Sequence, residues 1–198
     1  MSNLDNVIKA IKKEKEAIEV LERSLSEEIN RVVDVLYDCK GKVIFIAIGK
    51  SGHVAKKLAA TFASTGTPSF FLHGTEAMHG DFGMIEEKDV CILISNSGST
   101  KEVVQDIEHI KNIGAITVAF TSKEESQLAT GCDLKIIYPN LKEADPIECA
   151  PTSSSTMTLV LGDAIACALM EKRNFTKEDF YKFHPGGSLG KRLGNTNE

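Results

Sequence analysis

The first 38 residues place apolar side chains at the spacing of an α-helix, with charged residues between them. Ser24 and Glu27 have the spacing of a capping box, in which each side chain accepts a hydrogen bond from a backbone N–H at the helix start. We therefore predict two helices in residues 1–38, packed either on the rest of the domain or on another subunit. The apolar positions are Leu4, Val7, Ile8, Ile11, Ile18 and Leu21 in the first helix, and Leu25, Ile29, Val32, Val33 and Leu36 in the second.

After Gly41 the pattern changes to short runs that are apolar throughout and rich in β-branched or aromatic residues, which predicts buried strands. Strands that are apolar on both faces indicate a parallel sheet covered by helices on each side. We therefore predict a doubly wound α/β domain with a five-stranded parallel sheet over residues 39–198, ending in a C-terminal helical segment. The predicted strands are 43–48, 68–73, 89–94, 115–120 and 133–138, and the predicted helices are 53–65, 100–112, 124–130, 153–170 and 176–183.

The composition of the whole chain narrows its possible partners. A chain of 198 residues with 42% hydrophobic content suits one compact domain. Its net charge of -5 provides no concentrated positive field, so neither nucleic acid nor a membrane is an expected partner. The five cysteines are scattered, and Cys91 and Cys167 lie in apolar segments, which fits a reducing compartment. Because we find no signal-peptide pattern and no apolar run long enough to span a bilayer, we expect a cytoplasmic location.

The residues after the first predicted strand are the first candidates for binding. In open parallel sheets, ligands bind beyond the carboxyl ends of the strands, where helix N-termini present unpaired N–H groups. The segment Gly49-Lys50-Ser51-Gly52 follows the first strand, but it is not a Walker A loop, because Ile44 stands where that motif requires a glycine. No GxGxxG spacing follows any strand either. A tight turn with one lysine and one serine remains.

The third predicted strand is followed by SNSGST, residues 95–100, which places hydroxyl groups and backbone amides at a helix start. A helix N-terminus carries roughly half a positive charge, and a phosphate monoester carries about -1.5 to -2 charges at neutral pH. The two loops together indicate a site for one phosphate, which favours a phosphosugar over a nucleotide. The competing interpretation is that Ser99 and Glu102 form a capping box and that the hydroxyl groups serve only the helix start.

Five segments, in chain order, carry a family resemblance: GKSG, FASTGTPSFFLHGTEAMHGDFGM, SNSGSTKE, KEADPIECAPTSSSTMTLVLGDA and HPGGSLGKRL. They resemble the sugar isomerase (SIS) domain family, and within it the bacterial D-arabinose 5-phosphate isomerases, from about residue 40 to residue 193. The resemblance implies interconversion of D-ribulose 5-phosphate and D-arabinose 5-phosphate. This reaction leads to the octulosonate sugar of lipopolysaccharide or capsule, and no organic cofactor is implied.

The resemblance also assigns roles to individual positions of this chain. Many members of the family have glutamate where this chain has Ser99, so no role is carried over to that position. The implied catalytic residues are Lys50, His79, Glu102, Glu143 and His184, and the implied phosphate-binding residues are Ser51, Ser95, Asn96, Ser97 and Thr100.

The proposed chemistry explains why these residue types are needed. Aldose–ketose isomerisation moves a proton between adjacent carbons through an enediolate, so it requires a base and hydrogen-bond donors that stabilise the developing oxyanion. We expect either Glu102 or Glu143 to transfer the C–H proton, and the sequence does not rank the two. Lys50 is expected to stabilise the oxyanion, His184 to assist ring opening or proton relay, and His79 to hold hydroxyl groups. The ordinary alternatives are a solvated loop position for Glu143 and a turn position for His184.

A metal site is a further alternative at one of these histidines. His73, Glu76 and His79 have a helix-like spacing that a zinc ion uses in some proteins. We expect any metal there to be incidental and no metal to be required, because enediolate chemistry can proceed on side chains alone.

The resemblance also implies a homotetramer whose active sites are shared between subunits, with His79 or His184 supplied by a neighbour. Many relatives continue into a pair of cystathionine-beta-synthase repeats, whereas this chain ends soon after HPGGSLGKRL, so we expect no such regulatory module. Two other functions stay open: isomerisation of a hexulose or heptose phosphate, and non-catalytic sensing of a phosphosugar. The presence of Lys50, both glutamates and both histidines favours an enzyme.

Overall fold

The computed structural model describes residues 2–184. Within them, two N-terminal helices precede alternating strands and helices, and two further helices end the described chain. The strands are β1 (Val43–Ala47), β2 (Ser69–His73), β3 (Val90–Ile94), β4 (Ile116–Thr121) and β5 (Leu134–Ile137). The helices are α1 (Asn3–Ser24), α2 (Glu28–Asp38), α3 (Gly49–Ser64), α4 (Gly74–Ala77), α5 (Lys101–Val104), α6 (Asp106–Ile113), α7 (Gln127–Gly131), α8 (Ser153–Lys172) and α9 (Lys177–Phe183), with a 3-10 helix at Asp81–Met84.

The five strands form one parallel sheet in the order β2-β1-β3-β4-β5, which confirms the predicted doubly wound fold. All residues of β1 and β3 are buried, since both strands have helices on each face. The chain passes from β1 to β2 at one edge and then returns to form β3 on the other side of β1. This reversal places the turns after β1 and β3 next to each other, and ligands of doubly wound folds bind at this position.

Two layers of helices cover the sheet. One face packs on α1, α2, α3 and α8, and its core includes Phe45 and Phe62, whose rings meet edge to face at 5.0 Å between centroids. The other face packs on α4 to α7 and includes Val103. Along β1, Phe45 faces the first layer while Ile44 and Ile46 face the second, because successive side chains of a strand point to opposite faces.

Helix α8 is the central helix of the first layer. It approaches α3 closely at Gly162, where an added Cβ atom would lie 2.5 Å from the Leu58 side chain. Within the described residues, α8 alone is long and apolar enough to cross a membrane by length and composition, but 50% of the tested stretch is buried inside the domain. Packing against α3, α1 and α2 therefore accounts for its apolar character.

The two predicted N-terminal helices are confirmed as α1 and α2, but the predicted capping box between them is wrong. The Ser24 hydroxyl donates to the backbone carbonyl of Leu21 at 2.8 Å, so Ser24 closes the last turn of α1. Glu27 is the N-cap of α2, and its side chain makes no capping hydrogen bond. Both helices pack on the domain core, whereas the first turns of α1 expose apolar side chains, namely Leu4, Val7, Ile8 and Ile11.

Two helix boundaries near the crevice differ from the predicted ones. Helix α3 begins at Gly49 rather than at residue 53, so Lys50 and Ser51 lie in its first turn and not in a loop. Gly49 has a φ of 58°, a left-handed conformation that glycine adopts without strain, and this allows the strand to become a helix at once. The predicted helix at 100–112 is divided at Gln105 into α5 and α6.

Candidate active site

The loop after β3 is held in shape by its own polar groups. The Ser95 and Thr100 hydroxyl groups lie 2.7 Å apart and share a hydrogen bond, and the Gly98 N–H donates to the Ser95 hydroxyl at 3.1 Å. Gly98 has a φ of 64°, and an added Cβ atom would lie 2.1 Å from the Ser126 hydroxyl oxygen. Ser97 is exposed at the tip of the loop, where the Ser99 N–H and hydroxyl both donate to it. The loop therefore presents hydroxyl groups in a fixed arrangement.

These hydroxyl groups do not cap the following helix. Thr100 is the N-cap of α5, and its side chain makes no capping hydrogen bond. Ser99 bonds to Ser97 and not to the backbone of Glu102, so the alternative capping box at these positions is wrong. The Glu102 side chain also makes no return bond to the helix start within the described residues. The hydroxyl groups of the loop thus bond to one another and not to the backbone at the start of α5.

The first turn of α3 faces the same crevice from β1. Lys50 is exposed and Ser51 is half-buried. The N-cap residue Ile48 has no polar side chain, and it contributes only its carbonyl oxygen, which accepts from the Gly52 N–H at 3.0 Å. The N–H groups at the start of this helix therefore lack a side-chain cap, and such a helix start attracts an anion.

A cavity of about 360 Å³ opens beside these loops. Three of the predicted residues line this cavity, and they come from three separate parts of the chain: Ser51, Asn96 and Glu143. Residues from the loop before α8 and from its first turns complete the lining, among them Cys149 and Ser154. A volume of this size fits a small polar metabolite.

Glu143 is bound tightly to the N-terminus of α8. Its carboxylate accepts hydrogen bonds from the Thr152 N–H at 2.8 Å, the Thr152 hydroxyl at 3.1 Å and the Ser154 N–H at 3.2 Å, and also from the Ser154 hydroxyl. Partial burial raises the pKa of Glu143, but these donors outweigh it and hold the pKa below its usual range. Glu143 is therefore not a solvated loop glutamate. It is a carboxylate that joins the 139–152 loop to α8.

Glu102 and Lys50 border the crevice without lining this cavity. Glu102 is half-buried in the first turn of α5, and Lys50 lies in the first turn of α3. These helices follow the neighbouring strands β3 and β1, which brings the two turns to the same edge of the sheet. In the part of the chain that the structure describes, neither side chain has a hydrogen-bonding or ionic partner, so both are available to a substrate.

His79 and His73 lie near the end of β2 and do not form a metal site. His73 is the last residue of β2, and α4 is a single turn that ends at Ala77. His73, Glu76 and His79 therefore do not lie on one helix, although their spacing is helix-like. No group of three His, Cys, Asp or Glu side chains suited to a metal ion occurs between residues 2 and 184. His79 is exposed and precedes Gly80, which has a φ of 118°.

His184 lies away from the crevice within one chain. Its ring stacks on Phe180 at 3.9 Å between centroids, and its Nδ1 atom lies 3.0 Å from the Phe180 carbonyl oxygen. The adjacent Phe183 stacks on Phe175, which contacts Gly66 just before β2. This end of α9 therefore lies at the amino end of the strands. Residues 185–198, which include the rest of the HPGGSLGKRL segment, lie outside the described residues.

Three polar residues of the crevice were missed by the sequence analysis: Ser122, Asn140 and Ser154. The Ser122 hydroxyl donates to the Asn96 carbonyl oxygen at 2.8 Å and lies 3.4 Å from the Asn140 side-chain oxygen. Ser122 follows β4 just as Ser95 follows β3, so its position after a strand was a usable signal. The run TSSST at 152–156 was the corresponding signal for Ser154.

Comparisons with known proteins give a family match and similar relatives. The family model described as SIS domain matches residues 35–168. The chain is 49% identical over 180 residues to arabinose 5-phosphate isomerase KdsD of Pseudomonas aeruginosa, and 46% identical over 180 residues to KdsD of Escherichia coli K12. Each match covers 91% of this chain and 55% of the relative, so the chain spans about half the length of these curated relatives.

One solved structure is matched over the whole length of its chain. An Escherichia coli CFT073 protein in complex with arabinose 5-phosphate matches with a TM-score of 0.90 and 48% sequence identity. The match covers 93% of this chain and 100% of the solved one. The similarity therefore extends over the sheet and its helices and is not confined to short motifs.

Proposed function

Because the chain belongs to the SIS domain family, we propose that it is an isomerase that interconverts D-ribulose 5-phosphate and D-arabinose 5-phosphate. The observation that carries the proposal is the 48% identity to a protein solved in complex with arabinose 5-phosphate, over 100% of that protein's chain. Identities of 49% and 46% to two KdsD isomerases support the same reaction. The crevice supports it as well, since Glu143 and several hydroxyl groups line its cavity while Lys50 and Glu102 lie beside it.

We assign the phosphate of the substrate to the loop after β3 and the start of α3. Ser97 and Thr100 offer hydroxyl groups from the loop, Ser95 holds the loop in shape, and Ser51 and Asn96 approach from the cavity side. Neutral donors bind a doubly charged phosphate without a buried counter-charge, because each N–H or O–H group forms a charge-assisted hydrogen bond. The carbon chain of the sugar then extends toward Lys50 and Glu102.

Of the two glutamates, Glu102 is the better candidate for the C–H proton transfer. A general base must be free to approach the carbon and must bind the proton that it removes. Glu143 is engaged by four donor groups at the start of α8, and its lowered pKa makes it a weak base. We propose that Glu143 orients the 139–152 loop and sugar hydroxyl groups, while Lys50 stabilises the enediolate oxygen and His79 contacts hydroxyl groups.

The direct test is to incubate the purified chain with D-ribulose 5-phosphate and to identify the product by chromatography against arabinose, ribose and xylulose phosphates. We expect arabinose 5-phosphate, and an equilibrium mixture reached from either side. Glu102→Gln should lower kcat by about a hundredfold or more, the usual contribution of a positioned base. Glu108→Gln, on the exposed face of the neighbouring helix, is the matched control and should be as active as the wild type. A different aldose product, or full turnover in Glu102→Gln, contradicts the proposal.

We also propose a homotetramer in which His184 of one subunit completes the crevice of another. Two observations support it. The end of α9 that carries His184 packs near Gly66, at the amino end of the strands. The first turns of α1 also expose apolar residues, such as Leu4 at 66% and Ile11 at 61%. The test is to refold Glu102→Gln together with His184→Ala. If sites are shared, about a quarter of the sites in the mixture regain both groups and activity returns. A fully active monomer in light scattering contradicts the proposal.

We place the reaction in the cytoplasm, where it supplies a sugar for lipopolysaccharide or capsule. The scattered cysteines and the acidic composition fit this location. A strain without this chain should lose octulosonate from its surface polysaccharide, as measured by mass spectrometry. An unchanged octulosonate content would argue against this role.

A further inference from the structure

The 139–152 loop joins β5 to α8 and contains no helix or strand. Residues 146–151 are exposed, and the Ile147 side chain is 76% exposed. Much of the lining of the 360 Å³ cavity belongs to this loop, including Glu143 and Cys149. An irregular and exposed segment opens easily unless other parts of the chain bind it. The contacts that hold this loop therefore set the shape of the cavity.

Most hydrogen bonds of the loop are made within it or with the start of α8. The Asp145 carboxylate accepts from the Cys149 and Ala150 N–H groups at 2.9 Å each. The Ala144 N–H donates to the Thr152 hydroxyl at 2.8 Å. These bonds shape the loop, but they do not attach it to any element other than the helix that directly follows it.

Lys13 of α1 provides a contact from a distant part of the chain. Its Nζ atom donates to the Glu143 backbone carbonyl oxygen at 3.3 Å, across 130 positions of sequence. Among the described residues, no other side chain from outside the loop and α8 hydrogen-bonds to residues 141–152. Lys13 is half-buried, whereas the adjacent Lys12 is exposed. A hydrogen bond from an ammonium group is stronger than one between neutral groups, so this contact is a substantial attachment for the loop.

Helix α1 is itself attached to the core beside this contact. Ala17, four residues after Lys13 and on the same helix face, is buried in the core cluster together with Leu21. Glu14 adjoins the start of α8, where its Oε1 atom lies 3.4 Å from the hydroxyl group of the buried Ser153. The Lys13 side chain therefore extends to the loop from an element that is held in place.

Apolar packing between α1 and the loop is incomplete. A cavity of about 320 Å³ lies between them, and Lys13, Ala17 and Leu141 are among the residues that line it. Atoms that face each other across a gap of this size make no dispersion contacts. The hydrogen bond of Lys13 thus provides an attachment that packing does not provide here.

We propose that Lys13 is a positioning residue of the isomerase: it binds the Glu143 backbone and thereby holds the 139–152 loop in the conformation that accepts the sugar. The proposal rests on the proposed isomerase function. Lys13 binds the Glu143 carbonyl and the start of α8 binds its carboxylate, so this residue is held through both its backbone and its side chain. Without Lys13 a fraction of the chains would hold the loop in another conformation, and the apparent affinity for substrate would fall by that fraction. Lys50 and Glu102 lie on other helices, so the chemical step should be preserved.

The first experiment measures the loop without substrate. Amide hydrogen exchange is followed by mass spectrometry of peptides from the wild type, Lys13→Met and the control Lys12→Met. In Lys13→Met we expect the peptide that contains Ala144 and Thr152 to exchange about tenfold faster, because a charge-assisted hydrogen bond has been lost. A peptide from the buried strand β1 should exchange at the same rate in all three proteins. Lys12 is exposed, and its variant should match the wild type throughout.

The second experiment separates KM from kcat with ribulose 5-phosphate. Lys13→Met should raise KM about threefold to tenfold and leave kcat within about twofold, because binding must now order the loop. Lys13→Arg retains a charged donor and should return KM to within about twofold of the wild type. Lys12→Met should have wild-type values. If Lys13→Met does not fold, as judged by circular dichroism, Lys13→Gln takes its place in both experiments.

Equal exchange of the loop peptide in Lys13→Met and Lys12→Met overturns the proposal. Faster exchange that extends equally to β1 also overturns it, because the residue then supports the whole domain and not the loop. The role in substrate binding is refuted by a wild-type KM in Lys13→Met, or by an arginine variant that binds no better than the methionine variant.

The exchange measurement also separates a failure of this proposal from a failure of the proposed function, since it needs no substrate. An active isomerase whose loop exchanges alike in all variants refutes the role of Lys13 alone. A wild type that does not isomerise ribulose 5-phosphate refutes the proposed function, and the exchange rates then still decide whether Lys13 holds the loop.

Discussion

The burial of Asp106 predicts an unusual dependence of stability on pH. The carboxyl group is fully buried and has no partner within the described residues, so its ionised form is unfavourable in the folded chain. Its pKa accordingly rises from the ordinary 3.8 to about 7, with burial as the cause. In the unfolded chain the same group is hydrated and ionises at its ordinary pKa.

The sign and size of the effect follow from this difference. Between about pH 4 and pH 7 the folded chain holds the proton and the unfolded chain has released it, so each rising pH unit lowers the free energy of unfolding by about 1.4 kcal/mol. The loss is absent below the unfolded pKa and complete above the folded pKa. Over the whole shift of roughly 3 units it amounts to roughly 4 kcal/mol, of which about 3 kcal/mol falls between pH 5 and pH 8.

The assay is urea denaturation of the wild type, Asp106→Asn and the control Glu108→Gln at pH 5 and pH 8. Asparagine cannot ionise, so its stability relative to the wild type should improve by about 3 kcal/mol from the lower to the higher pH. Glu108 is exposed, and its glutamine variant should follow the wild type at both pH values. The reasoning is refuted if the difference between Asp106→Asn and the wild type is the same at pH 5 and pH 8.

Three further predictions concern the crevice. Thr100→Val removes the hydroxyl group that bonds to Ser95 and should raise KM for ribulose 5-phosphate about tenfold. The control Ser99→Ala should change KM less than about threefold. Equal effects of the two substitutions would show that Thr100 does not bind the phosphate. Gly98→Ala introduces a side chain at a φ of 64°, where space is also lacking. The substitution should lower the free energy of unfolding, measured by urea denaturation, by at least about 2 kcal/mol. An unchanged urea midpoint would contradict this account of the loop. Glu143→Gln weakens the cap on α8 and should lower the thermal stability at pH 7 by about 1 kcal/mol. Because the folded pKa of Glu143 is lowered, its stabilising effect is present above the ordinary glutamate pKa and is lost as pH falls through the folded pKa. Calorimetry should therefore show the unfolding temperatures of the variant and the wild type converging in acid. A difference that stays constant with pH would contradict the role of Glu143 as a cap.

The strands and the positions of the turns after them were predictable, because runs of apolar residues indicate buried strands. Runs such as VIFIA and VCILI are apolar at every position, and the structure buries all of their residues in β1 and β3. The turns after these strands lie side by side at the carboxyl edge of the parallel sheet, where ligands of such folds generally bind. The start of α3 was misjudged, because a glycine followed by a lysine and a serine resembles a turn and carries no helical hydrophobic period.

Individual roles within the site were less accessible to sequence reasoning. Glu143 was placed in the site through a family resemblance, but nothing in its local sequence indicates that it caps a helix which starts at Ser153. Asp106 was not singled out at all, although an aspartate among the buried positions Val103, Ile107 and Ile110 interrupts an otherwise apolar face. Such a polar residue in a core pattern is a signal that could have been used.

By itself the sequence determined the kinds of elements, their order and the chemical groups at the ends of the strands, because side-chain periodicity and turn residues act over a few neighbouring positions. Only the tertiary structure decided which of these groups meet. The strand order β2-β1-β3-β4-β5 sets the turns after β1 and β3 side by side, and it brings Ser122 within 2.8 Å of the Asn96 carbonyl oxygen across 26 positions of sequence. The same packing buries Asp106 without a partner among the described residues. It also places the end of α9, with His184, at the amino end of the strands, opposite the crevice. Contacts of this kind depend on how layers pack around the sheet, and no local pattern encodes that arrangement.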